Sequence, residues 1–145
     1  MAEEQFVLFK LAQEEYAITI TQVREIIQYS GATRLPNVPE YMEGVINLRG
    51  NTIPVLNLAQ RLAIDGKIAD GGKKALIVET NKQNFGVVVD EVTEVLMLAQ
   101  SAIEGPPPNV GEGIRGIGKA GERLLILLDM DRLFKEEAID LYPTN

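Results

Sequence analysis

Tyr16-Ala17-Ile18-Thr19-Ile20-Thr21-Gln22-Val23-Arg24-Glu25-Ile26-Ile27 decides the fold, because it recurs without a gap as Phe85-Gly86-Val87-Val88-Val89-Asp90-Glu91-Val92-Thr93-Glu94-Val95-Leu96. An aromatic residue falls on an aromatic, a small residue on a small one, and the V-x-E-aliphatic ending repeats. At the same offset Pro39 falls on Pro108 and Gly44 on Gly113. A repeat of this kind means that one supersecondary unit is built twice. Two similar halves leave a groove between them, and function is expected there.

Outward from the first copy, residues 5–11 are apolar with Lys10 interposed, and residues 12–15 read as a turn. Tyr16, Ile18 and Ile20 then alternate with smaller or polar residues, which makes a hairpin with a half-buried second strand. Residues 22–27 fit either a helical turn capped by Thr21 or a strand. Residues 44–50 and 52–58 read as two strands joined tightly at Gly50-Asn51. Pro54 lacks a ladder donor, so its strand is expected to sit at an edge or to start with a bulge. Residues 59–62 suggest a short helical turn.

The stretch 63–73 contains Gly66, Gly71 and Gly72 and is the natural link between the halves. A second strand pair follows at 75–80 and 85–89. Pro106-Pro107-Pro108 is a stiff extended stretch. Leu124-Leu125-Ile126-Leu127-Leu128 is a continuous apolar run, expected as a strand buried on both faces. Met130, Leu133 and Phe134 have helical spacing, which predicts a helix over 130–138. Many short strands with Gly/Pro turns predict a mainly β fold of two small barrels. The halves, 1–70 and 71–145, are each expected to contribute mainly to one barrel of a single domain.

Composition narrows the function. The 145 residues carry a net charge of −7, which disfavours nucleic acid and anionic membranes as partners. Cysteine and histidine are absent, so thiol chemistry, Ser-His-Asp catalysis and His-based zinc sites are excluded. No metal and no cofactor is expected. The acidic start, Met1-Ala2-Glu3-Glu4-Gln5, does not read as a signal peptide, and no apolar run spans a bilayer. A cytoplasmic protein is expected.

Gly111-Glu112-Gly113-Ile114-Arg115-Gly116 spells G-x-G-x-x-G, but a dinucleotide fingerprint needs a helix after it, and Glu112 would repel a pyrophosphate. A glycine-rich turn is the better reading. Gly66 and Gly71 have P-loop spacing, yet the lysine is misplaced at Lys73. Asp90, Glu91 and Glu94 form the one candidate acid–base cluster, against the simpler reading of a solvated charged face. Arg49 ends an apolar strand. Period-2 alternation would send Ile46 and Leu48 to the core and Val45, Asn47 and Arg49 outward. Such an arginine is either an interface anchor or an ordinary surface residue paired with a nearby Glu.

Residues 14–27 (EEYAITITQVREII), 34–39 (RLPNVP), 44–55 (GVINLRGNTIPV), 85–96 and 123–129 (RLLILLD), taken together, resemble the CheW-like family of bacterial chemotaxis over nearly the full length. The resemblance implies two SH3-like five-stranded β-barrels with a short C-terminal helix, and no catalysis. It implies a scaffold that links the cytoplasmic tips of chemoreceptors to the regulatory domain of the histidine kinase CheA, recruited to membrane-associated receptor arrays without entering the membrane. It gives Arg49, Glu25 and Val23 as receptor contacts and leaves the kinase contacts unassigned. Asn57 stands where the family commonly has Asp, which puts any salt bridge at that position in doubt. An adaptor of another kinase pathway, such as surface motility, and a small carboxylate-dependent enzyme are the alternatives.

Overall fold

The computed structural model describes residues 2–64, 73–80 and 83–134. The P-loop-like glycines and the far end of the expected C-terminal helix lie outside those residues. The elements are β1 (Glu3–Leu11), β2 (Glu14–Thr19), β3 (Val23–Gln28), β4 (Met42–Leu48), β5 (Asn51–Asn57), α1 (Leu58–Arg61), β6 (Lys74–Glu79), β7 (Asn84–Val89), β8 (Glu91–Ala99), β9 (Ile103–Glu104), β10 (Ile114–Ala120), β11 (Arg123–Leu128) and α2 (Met130–Leu133). They form one sheet in the order β8-β1-β2-β11-β10-β9 and a second in the order β3-β6-β7-β5-β4. The fold is mainly β, with only short helices among the described residues. In the first sheet β8 packs back on β10: a Cβ on Gly118 would lie 2.7 Å from Leu98 Cδ1. That closes the sheet into a barrel.

β1 shows why the apolar run at the start of the chain exists. Phe6 and Leu8 fill the first barrel with Ala17, Leu98, Leu125 and Leu127. Val7, Phe9 and Leu11 point the other way, into a larger core shared with Leu56, Leu76 and Phe85 of the second sheet. The strand is buried on both faces, so period 2 is invisible in its sequence.

The repeat is real, and the structure corrects its register. Phe9 pairs with Tyr16 and Val92, while Val78 pairs with Phe85 and Val23. Those pairings keep Tyr16 on Phe85 and Val23 on Val92, as the sequence suggested. The second part of the unit is shifted by three further residues. β4 and β5 pair Gly44 with Val55 and Val45 with Pro54, and β10 and β11 pair Gly116 with Leu127 and Ile117 with Ile126. Gly44 therefore corresponds to Gly116, not Gly113. Pro39 corresponds to Gly111, not Pro108: Met42 N–H donates to the Pro39 carbonyl at 2.9 Å, and Ile114 N–H to that of Gly111 at 3.2 Å. The second copy has a loop longer by three residues, which a gapless comparison cannot see.

Both halves give strands to both sheets. β1 and β2 join β8 to β11 in the first sheet, and β6 and β7 join β3 to β5 in the second. Each hairpin is completed by the other half, through parallel pairs of β2 with β11 and β7 with β5.

Other local expectations change with the context. Residues 20–22 form a 3₁₀ turn without a side-chain cap and 23–28 a strand, so Thr21 caps nothing. Pro54 lies on an interior strand; β7 pairs with β5 only from Val55 onward, so the missing N–H costs no parallel ladder bond. Leu124 is 62% exposed, since β11 faces solvent on its outer side at that point. α2 stops at Leu133 with Phe134 as its C-cap, and Met130, Leu133 and Phe134 are all buried.

Candidate functional site

Arg49 lies in the turn between β4 and β5, not on the strand. Arg49 and Gly50 have φ of +51° and +85°, the left-handed pair that a two-residue hairpin turn requires. Asn47 Oδ1 closes the turn by accepting from Gly50 N–H at 2.9 Å. Strand alternation therefore does not set the direction of Arg49. Ile46 and Leu48 are only half-buried, and Val45 is the residue packed against the core, because the β4–β5 register shifts between Met42 and Gly44.

From this turn the Arg49 guanidinium reaches β3 and makes a bidentate contact with Glu25, Nη2 donating to Oε1 at 2.6 Å and Nη1 to Oε2. The Arg49 side chain is 70% exposed and that of Glu25 27%. The Arg49 hydrogen bond, more than its charge, holds the Glu25 carboxyl below the usual carboxylate range and raises the guanidinium in turn. Arg49 thus has the nearby glutamate partner, and its side chain remains largely open to solvent. An exposed pair of this kind adds little to stability. The planar guanidinium is oriented by its two bonds to Glu25.

Val23 is not brought to this pair. Arg24 is an extra residue in β3, so Val23 pairs with Val78 and Glu25 with the next residue of β6, Ile77. Neighbours on a strand point to opposite faces. Val23 packs half-buried on the core, while Glu25 turns out to Arg49. Without the bulge, residues 23 and 25 would share a face.

The repeat reproduces the arrangement at Glu94. Thr93 is the extra residue of β8, and Glu94 pairs with Leu8 as Glu25 pairs with Ile77. Glu94 accepts from Arg123 Nη2 at 2.9 Å, and the same guanidinium holds Glu15 through Nε and Nη2 at 3.0 and 2.7 Å. The V-x-E repeat signalled Glu94; nothing in the sequence signalled Arg123, which corresponds to Asn51. The proposed acid–base cluster is dispersed. Asp90 Oδ2 accepts from Ala12 N–H at 2.9 Å, Glu91 lies across from Lys10, and Glu94 is in the ion pair. Among the described residues no group of three or more acidic side chains is arranged to hold a metal. The G-x-G-x-x-G run leads into β10 instead of a helix, with Gly113 and Gly116 tightly packed.

Asn57 is buried and caps α1, its Oδ1 accepting from Gln60 N–H at 3.0 Å. Its counterpart Asp129 caps α2 through Arg132 N–H. Asn57 Nδ2 also donates to Glu43 Oε2 at 3.3 Å, and Tyr29 OH donates to Glu43 Oε1 at 2.7 Å. Burial, and then the bond to Glu43, push the Tyr29 phenol well above its ordinary range. Asn57 belongs to a hydrogen-bonded network at this position, and sequence reasoning had missed Tyr29 and Glu43.

The family model described as the CheW-like domain matches residues 5–138. The chain is 36% identical to the chemotaxis protein CheW of Klebsiella aerogenes over 143 residues, covering 95% of this chain and 86% of that one. It is 33% identical to the chemotaxis protein CheW of Bacillus subtilis, covering 93% and 89%. The scaffolding protein TtCheW of Thermoanaerobacter tengcongensis superposes with a TM-score of 0.87 at 34% identity, over 94% of this chain and 96% of that one. A repeated β unit, two interlocked sheets and a match over nearly the whole length leave one conclusion: this chain belongs to the CheW-like domain family.

Proposed function

We propose that this chain is a non-catalytic chemotaxis adaptor that couples chemoreceptors to the histidine kinase CheA, with the Arg49–Glu25 pair in the receptor contact. The observation that carries the reading is the family match over residues 5–138, joined to the same fold in a scaffolding protein. Arg49 supports the site assignment. It sits in a left-handed turn with its guanidinium held on Glu25 by two hydrogen bonds, yet most of its surface is free to meet a partner. Glu25 sets its direction, and the half-buried Val23 supports the strand from the core side. The dispersal of Asp90, Glu91 and Glu94 favours the adaptor over a carboxylate-dependent enzyme. No helix among the described residues is long and apolar enough to cross a membrane.

The test is co-sedimentation of the purified chain with receptor-containing membranes and CheA, read with the kinase activity of the mixture. Assembly and kinase stimulation support the reading. Absence of both refutes it, and turnover abolished by Asp90→Asn or Glu94→Gln would favour the enzyme.

A further inference from the structure

The two copies of the unit differ at one place in a way that leaves a space. In the second copy, Phe134 at the C-cap of α2 is buried, packed edge-on against Phe85 with ring centroids 5.5 Å apart and tilted against Tyr41 at 6.4 Å. By the register above, Phe134 corresponds to Leu62 at the C-cap of α1, Phe85 to Tyr16 and Tyr41 to Gly113. Where one side of the molecule has two aromatic rings, the other has a leucine and a glycine. A cleft of about 260 Å³ remains there, lined by Tyr16, Leu62, Ile114, Ile126 and Leu133, with Arg61 in its wall and the exposed Glu112 at Gly113. A cavity of about 150 Å³ already suffices for benzene.

Arg61 provides the polar half of the site. Its Nη2 donates to the Leu133 carbonyl at 2.8 Å, and its guanidinium lies 5.8 Å from the centre of the Tyr41 ring and 5.9 Å from that of Phe134. We propose that this cleft receives an aromatic side chain of a partner polypeptide, in the position that Phe134 fills on the other side. A phenylalanine or tyrosine supplies such a ring. The inference does not depend on the adaptor reading.

The test uses the full chain with methyl-labelled isoleucine and leucine, titrated with N-acetyl-phenylalanine amide and, separately, N-acetyl-alanine amide. The phenylalanine amide should shift the methyl signals of Ile114, Ile126 and Leu133 saturably in the millimolar range, and the alanine amide should not. Leu62→Phe supplies in the chain itself the ring that its counterpart has. It should keep the melting temperature or raise it, while weakening binding of the phenylalanine amide at least tenfold. No saturable shift, equal shifts with both amides, or undiminished binding to Leu62→Phe would each overturn the proposal. Should Leu62→Phe fail to fold, Ile126→Phe, which enters the cleft from β11, provides the same comparison.

Discussion

Gly44 and Gly116 are one position built twice: a Cβ on Gly44 would lie 2.0 Å from the Thr33 carbonyl oxygen, and a Cβ on Gly116 would lie 2.2 Å from that of Glu104. In each copy a passing backbone segment bonds to the hairpin at this point, Thr33 to Val45 and Glu104 to Ile117. No side chain fits between them, and the obstacle is backbone, which cannot rotate away. Gly44 also has a φ of +142°, which a Cβ-bearing residue rarely adopts.

Gly44→Ala and Gly116→Ala should therefore both destabilise, each by about 2–4 kcal/mol, at or above the usual cost of overpacking. Gly105→Ala is the control, since nothing lies within 4 Å of a Cβ there. Urea titration of the three variants decides it. A neutral Gly116→Ala would break the correspondence between the copies.

Arg49→Ala should leave the melting temperature within about 3 °C, since the side chain is largely exposed and its ion pair is a surface one. Partner binding should fall more than tenfold, measured as receptor and CheA co-sedimentation. The reversed pair, Arg49→Glu with Glu25→Arg, should fold and remain defective, because the partner would meet the wrong charge. Restored assembly in the reversed pair would mean that only the internal ion pair matters.

Asn57→Ala should cost about 1–2 kcal/mol, the usual loss for an N-cap, because Oδ1 no longer accepts from Gln60. Asn57→Asp keeps the cap but turns a donor into a carboxylate beside Glu43. Like charges raise at least one folded-state pKa, so the penalty should be full above that raised value and shrink as pH falls from it toward the ordinary carboxylate values near 4. Thermal melts of both variants across pH 4 to 8 test this. A pH-independent loss in Asn57→Asp would refute the proximity to Glu43.

Glu4 and Arg115 join β1 to β10 through two hydrogen bonds of 2.6 and 2.8 Å, with the guanidinium 5.5 Å from the centre of the Phe6 ring. The Arg115 hydrogen bond holds the Glu4 carboxyl below its ordinary value of 4.5. A lowered folded-state pKa gives stability that is full above the unfolded value and lost as pH falls through the folded one. The melting temperature should therefore drop as pH falls below about 4.5. Arg115→Met should reduce that slope while keeping contact with Phe6. An unchanged acid profile would place the pH dependence elsewhere.

The sequence by itself determined the repeat, the β class and the family. The aligned stretches starting at Tyr16 and Phe85 carry the strand pattern locally, and the Glu25–Glu94 correspondence was already present in the V-x-E ending. Tertiary structure decided what depends on chain crossing. The sharing of strands between the two sheets follows from parallel pairings between distant segments, Tyr16 with Ile126 and Gly86 with Val55, which no local pattern encodes. Glu25 and Arg49 are 24 residues apart and meet only because a bulge at Arg24 and a left-handed turn at Arg49 aim both side chains at one point. The exposure of Leu124 inside an apolar run has the same origin: hydrophobicity was legible, but whether a second layer covers the strand is a property of the assembled sheets.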